Sequence, residues 1–150
     1  MKTIAGIDGY KALAGQPLGE SDWLQVDQER INKFADATGD HQWIHVDTER
    51  AKQSPFGTTI AHGFLTLSLI PALSGDLLKV EGVRMGINYG LNKVRFPSPV
   101  RVGSKVRATV RNVSIEDVQG GVQIVNEVTI SIEGQDKPAC VAETVTRLYV

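Results

Sequence analysis

The chain has a single cysteine, Cys140, among its 150 residues. One thiol excludes an intrachain disulfide and a cysteine-ligated metal site. Its apolar setting, Ala139-Cys140-Val141-Ala142, reads as a small buried hydrophobe, not a nucleophile. Charge of one sign is also lacking. Sixteen Lys and Arg against seventeen Asp and Glu leave a formal net charge of -1, so no basic field invites nucleic acid or an anionic membrane surface. Long hydrophobic runs are absent too. The most apolar stretch, 63–73, is too short to span a bilayer and is interrupted by Pro71. The opening Met1-Lys2-Thr3-Ile4-Ala5 lacks the apolar core of a signal peptide, and a cytoplasmic location is the default expectation. With no repeat, low-complexity tract or linker, the length argues for one domain over 1–150. Hydrophobic residues at 41% and charged residues at 22% describe an ordinary globular composition.

The pattern changes character along the chain. Residues 1–22 are rich in glycine with few apolar anchors and are expected to lie over the surface. Residues 23–26 suit a short strand. Asp27 is a suitable N-cap for a helix that places Ile31, Phe34, Ala35 and Thr38 on one face, and Gly39 is a suitable left-handed stop. Asp47 can cap a second short helix that ends before Pro55. The stretch 63–73 is apolar around nearly its whole circumference, the mark of a helix buried on most sides. Pro71 should kink or divide it.

From residue 84 the period becomes two. Val106, Ala108 and Val110 alternate with polar neighbours, as do Val122, Ile124, Val128, Ile130 and Ile132. Gln119-Gly120-Gly121 between these runs reads as a hairpin turn, and Gly134-Gln135-Asp136 as another before a last strand. One apolar helix with a mostly antiparallel sheet gives an α+β class, the sheet curled around the helix.

The segment with chemical content is Thr38-Gly39-Asp40-His41-Gln42-Trp43-Ile44-His45. A helix stops, and a carboxylate and an imidazole follow five residues apart on a loop that Trp43 and Ile44 can pin inward. Two such groups over one water can move a proton in each direction. Hydration of a double bond needs both, a base for the water and an acid for the carbon. Ala61-His62-Gly63 then precedes the apolar helix. The first N–H groups of a helix lack internal partners, and a glycine there lets a ligand approach the backbone. A thioester carbonyl at Gly63 could build enolate charge against such a donor.

Phe34…Thr38-Gly39-Asp40…Ile44-His45…Ala51, then Ala61-His62-Gly63, resembles the hydratase motif of MaoC-like dehydratases and (R)-specific enoyl-CoA hydratases. Val94-Arg95-Phe96-Pro97…Pro99-Val100…Gly103 resembles a later segment of the same family, so the likeness runs in order over about 20–150. The resemblance implies a hot-dog fold and a homodimer, or a dimer of dimers. It also implies reversible syn addition of water to a trans-2-enoyl thioester to give the (R)-3-hydroxyacyl thioester. By position, Asp40 and His45 become the catalytic pair and the Gly63 amide the carbonyl site. Gln42 and His62 are candidate substrate contacts, with the orienting of the loop before the helix the preferred reading for His62. His45 is assigned as base and Asp40 as acid, a division that spacing alone leaves open. No cofactor is implied, since coenzyme A or phosphopantetheine would arrive as part of the substrate.

The sequence departs from the family where members commonly carry Asn-Pro. Gln42-Trp43 stands there instead, which bears on substrate size more than on reaction. A supporting hydroxyl on the central helix falls to Thr66 or Ser68. His41, His45 and Asp47 match no metal motif, so no metal is expected. Lys93, Arg95, Arg101, Lys105 and Arg107 are read mainly as a solvated strand face. Residues 88–92 are assigned to the acyl tunnel or to a dimer seam, a choice the sequence leaves open. Two other readings remain: a hot-dog thioesterase, which would release free thiol, and a non-catalytic acyl-thioester binder, which would turn over nothing.

Overall fold

The computed structural model describes residues 1–150. Its frame is a sheet in which β2 (Pro17–Glu20), β6 (Lys105–Val118), β7 (Gly121–Ile132), β8 (Cys140–Tyr149) and β5 (Met85–Arg95) lie side by side in that order. All of these pairings are antiparallel, and β3 (Leu24–Gln25) adds to the same edge of β6 as β2. Period-two alternation explains the buried face. Val106, Ala108 and Val110 on β6 and Val128, Ile130 and Ile132 on β7 all point into one core. Register shifts at 112–114 on β6 and twice within β5 bend the strands around what they enclose.

The enclosed element is the apolar stretch, and it is divided as proline chemistry requires. α5 (Gly63–Ser68) ends at Leu69, and α6 (Ile70–Ser74) restarts with Pro71 in its first turn, where its missing N–H costs nothing. Leu65, Leu69 and Leu73, each 5% exposed, form one seam against the sheet. Each such burial stabilises by about 1.5–3 kcal/mol. The opposite side is not covered. Phe64 is 69% exposed, which corrects the expectation of burial on most sides: one flank of α5 faces outward.

α2 (Gln28–Thr38) forms as its signals require. The Asp27 carboxylate accepts from the Arg30 N–H at 2.9 Å, and Gly39 closes the helix at φ 81°. Ile31 and Ala35 are fully buried, Phe34 is half-buried, and Thr38 is exposed with its hydroxyl donating back to the Phe34 carbonyl. Thr38 thus leaves the expected apolar face and turns its hydroxyl back onto the preceding turn.

The N-terminus is the larger correction. β1 (Lys2–Ile4) pairs in parallel with β4 (Leu78–Val80), and α1 (Gly6–Lys11) packs beside them. Ile4 and Tyr10 are about 95% buried, in a second small core with Val122 and Ile124. Two apolar anchors suffice, because the sheet provides the other half of the surface. No helix is long and apolar enough to cross a membrane.

Candidate active site

The loop after α2 owes its shape to local hydrogen bonds. Gly39 turns the chain in the left-handed region, where a side chain would be strained. The Asp40 carboxylate accepts a long bond from the Gln42 N–H at 3.4 Å. The Gln42 carbonyl then accepts from the His45 N–H at 3.0 Å, opening the helical turn α3 (Trp43–Val46). The expected loop is therefore partly helical. The Asp47 carboxylate caps α4 (Thr48–Ala51) through the Arg50 N–H at 3.0 Å, and the Arg50 guanidinium lies 4.3 Å over the Trp43 ring.

His45 is held at its main chain and at its ring. Its main-chain carbonyl accepts from the Gln28 side-chain amide at 2.8 Å. The other end of that amide accepts from the buried Thr59 hydroxyl. Its ring Nδ1 meets the Ile60 carbonyl at 2.7 Å. A carbonyl can only accept, so Nδ1 carries the hydrogen and Nε2 keeps the lone pair. The side chain is 7% exposed. Burial lowers its pKa, the Ile60 hydrogen bond raises it, the neighbouring His62 lowers it and Asp40 raises it, with a net fall below 6.5. His45 is therefore a neutral imidazole near pH 7 with one basic nitrogen in a fixed direction.

His62 stacks on His45, ring centroids 3.9 Å apart and planes at 24°, with Phe34 at 4.9 Å on its other side. Its Nε2 donates to the Asp40 carbonyl at 3.0 Å, and its Nδ1 is buried without a partner. The ring thus couples α5 to the loop that carries Asp40. One ligand atom each from Asp40, His45 and His62 lies within 4.8 Å of the other two, so one water can touch the group. His45 Nδ1 and His62 Nε2 are both taken by main-chain carbonyls, which leaves each imidazole one nitrogen for a ligand.

Gly63 begins α5 immediately after His62. A Cβ built there would fall 3.0–3.2 Å from the Phe96 ring, so the aromatic ring presses against the backbone at the proposed carbonyl site. Asp40, His45, His62 and Gly63, read from the motif, thus come from two adjacent segments. Gln42 is different. It contributes its main chain to the turn, while its exposed side chain makes no hydrogen bond. Sequence reasoning missed Gln28, Thr59 and Ile60, the clamp on His45, because a glutamine in a first helical turn resembles any surface glutamine and a carbonyl carries no residue signature. Phe96 was quoted as motif, but its contact with Gly63 lies outside any sequence pattern. On the strand face, Arg107 is not freely solvated. It stacks 4.3 Å over Trp23 and pairs with Glu20 at 3.2 Å.

A curved antiparallel sheet around a split apolar helix, with an acid–base cluster at the helix start, defines a hot-dog protein of the hydratase type. The chain belongs to the MaoC like domain family, whose model matches residues 10–134. It is 57% identical over 148 residues to 3-hydroxyacyl-thioester dehydratase Z of Mycobacterium tuberculosis, covering 98% of each chain. It is 34% identical over 103 residues to the (R)-specific enoyl-CoA hydratase of Rhodospirillum rubrum, covering 69% of this chain and 63% of that one. Among solved structures it resembles the (R)-hydratase from A. caviae involved in PHA biosynthesis. That match has a TM-score of 0.73 and 26% identity, over 90% of this chain and 96% of that chain.

Proposed function

We propose that the protein adds water reversibly to trans-2-enoyl thioesters to give (R)-3-hydroxyacyl thioesters. The observation that carries the mechanism is the fixed tautomer of His45, neutral and basic at Nε2, beside the Asp40 carboxyl. The thioester carbonyl sits at the Gly63 amide. One water lies between the pair. His45 Nε2 takes a proton from it as its oxygen bonds to C3, and the electrons of the double bond move toward C2 and the carbonyl. Asp40, as the acid of the pair, delivers a proton to C2. The imidazolium then returns a proton to Asp40, so the proton taken from water reaches carbon and both side chains are restored. Hydrogen and oxygen arrive from one side, which makes the addition syn. Neither a metal nor a redox cofactor takes part, and coenzyme A or phosphopantetheine enters only with the substrate.

Asp40→Asn and His45→Gln should each lower turnover of crotonyl-CoA by about 10²–10⁴-fold. The double variant should lose little more, because both residues act on one water. Loss of enoyl absorbance measures this. Release of free thiol by the wild type would mean a thioesterase, and no turnover at all would mean a binding protein. Wild-type rates in either folded variant would remove that residue from the mechanism.

The active form is a homodimer. β5 is an open edge of eleven residues, with Met85, Ile87, Tyr89 and Leu91 between 42% and 56% exposed. Native sheets rarely leave such an edge uncovered. The protein acts in the cytoplasm, where its acyl-thioester substrates are handled.

A further inference from the structure

A cavity of about 820 Å³ lies between α5–α6 and the concave face of the sheet, under the N-terminal cap. Its volume falls within the range of small-molecule sites, about 300–1,000 Å³. Asp40, His45, His62 and Gly63 do not line it. It begins at Leu67 and Ser68, four and five residues along α5 from Gly63, or about 6 Å at the rise of a helix. A chain held by its carbonyl at Gly63 therefore has the cavity ahead of it. Most of the wall is apolar, as an acyl chain requires.

One part of the wall is not apolar. Tyr10, Asn126 and Thr144 meet there, from α1, β7 and β8. Behind them is a chain of hydrogen bonds whose direction is fixed at its far end. The Gly15 main-chain N–H donates to Asn112 Oδ1 at 3.1 Å. A backbone N–H can only donate, so the acceptor is the amide oxygen. Asn112, fully buried, must then use Nδ2 as donor, and it reaches Asn126 Oδ1 at 2.9 Å. Asn126 is left with its own Nδ2 as donor, on the cavity wall with Tyr10, and neither that Nδ2 nor the Tyr10 hydroxyl has a hydrogen-bond partner in the protein. Tyr10 is 5% exposed and lines the cavity. The cavity wall thus presents two donors without protein partners, the Asn126 amide, whose orientation the Gly15 N–H fixes through Asn112, and the Tyr10 hydroxyl.

We infer that Tyr10 is a recognition site for a neutral oxygen, ketone or hydroxyl, on the enoyl chain at a distance from the thioester. A purely alkyl chain would leave the buried donor unpaired, which is costly. A carboxylate fits less well, because the only charged side chain on the wall, Lys79, is exposed at its rim. The inference names the substrate class of the proposed hydratase and rests on that reading.

The test is a set of trans-2-enoyl-CoAs of one length, either plain alkyl or with a keto oxygen stepped along the tail. Rates are taken relative to crotonyl-CoA, which is too short to reach the cavity's far wall. At one keto position the wild type should exceed the alkyl chain in kcat/KM by roughly five- to tenfold, the effect of one hydrogen bond. Tyr10→Phe should bring that ratio to about one. A wild type indifferent to every keto position, or a folded Tyr10→Phe variant that keeps the preference, overturns the assignment. The wild-type comparison stands even if the variant fails to fold. Calorimetric binding of the matched saturated acyl-CoAs separates the two readings. Tighter binding of the keto chain without hydration of crotonyl-CoA keeps the Tyr10 site and removes the hydratase. Hydration with equal binding and equal rates does the reverse.

Discussion

At the scale of single residues, the site depends on which nitrogen of one imidazole is free. The Ile60 carbonyl decides this for His45, and burial keeps the ring neutral. The sign of the pH dependence follows. The basic form is the neutral one, and its pKa lies below 6.5, so the acid limb of kcat/KM should fall below pH 6.5. Stability should move the same way. The unfolded chain binds this proton more readily than the folded one. The contribution is therefore present above pH 6.5 and lost as pH falls toward the folded pKa. A rate profile with an acid limb above 6.5 would show that His45 is not the base. Gly63 offers a second residue-scale test. An alanine Cβ would press on the Phe96 ring at 3.0–3.2 Å and displace the amide from the carbonyl. Gly63→Ala should cost up to about 10²-fold in kcat/KM, the scale of a lost oxyanion donor. Phe96→Leu in the same chain should recover part of it, and a double variant no better than Gly63→Ala would disprove the contact. The motif showed Asp40, His45, His62 and Gly63 in the sequence. It did not show the clamp from Gln28 and Ile60, because those contacts use a main-chain carbonyl and an ordinary amide with no distinguishing spacing.

At the scale of elements, the second half of the chain was legible because its physics is local. A period of two with glycine turns determines β6 and β7, whichever partner they meet. Asp27 and Gly39 marked both ends of α2, and Pro71 marked the division of the central helix. The first 22 residues were misread because their order is not local. Ile4 and Tyr10 become core only through Val122 and Ile124, more than a hundred residues away, and β1 finds its parallel partner at 78–80. The caps can be tested directly. Asp27→Ala removes the acceptor for the Arg30 N–H and should destabilise the fold by about 1 kcal/mol, read as a lower urea midpoint at unchanged slope. α2 carries Gln28, so the same variant should loosen the hold on the His45 carbonyl and lower turnover slightly. An unchanged midpoint would show that the cap is not used.

At the scale of the whole molecule, the two edges of the sheet are unlike. One ends in the short strands β2 and β3, of four and two residues. The other is β5, eleven residues long with an irregular pairing to β8. Short edges resist further pairing, whereas a long one invites it. β5 also serves two surfaces. Asn88, Gly90 and Leu91 border the cavity, while Met85, Ile87 and Tyr89 look outward. The sequence had left tunnel and seam as alternatives for 88–92, and the strand's two faces allow both. Phe64 and Phe96 continue the outward apolar surface, 69% and 40% exposed and in edge contact at 6.3 Å. Phe96 packs close to Gly63, so covering this surface would also steady the proposed carbonyl site. A second copy of the chain suits it, since a two-fold axis perpendicular to β5 would pair the edge antiparallel with itself. Light scattering should therefore give at least twice the 16.3 kDa of the chain. Ile87→Lys puts a charge on the seam, away from Asp40 and His45. It should shift the protein toward monomer and lower turnover together, with both recovered as protein concentration rises. A stable 16.3 kDa species with full activity at micromolar concentration would remove the dimer and, with it, the reason for the apolar edge.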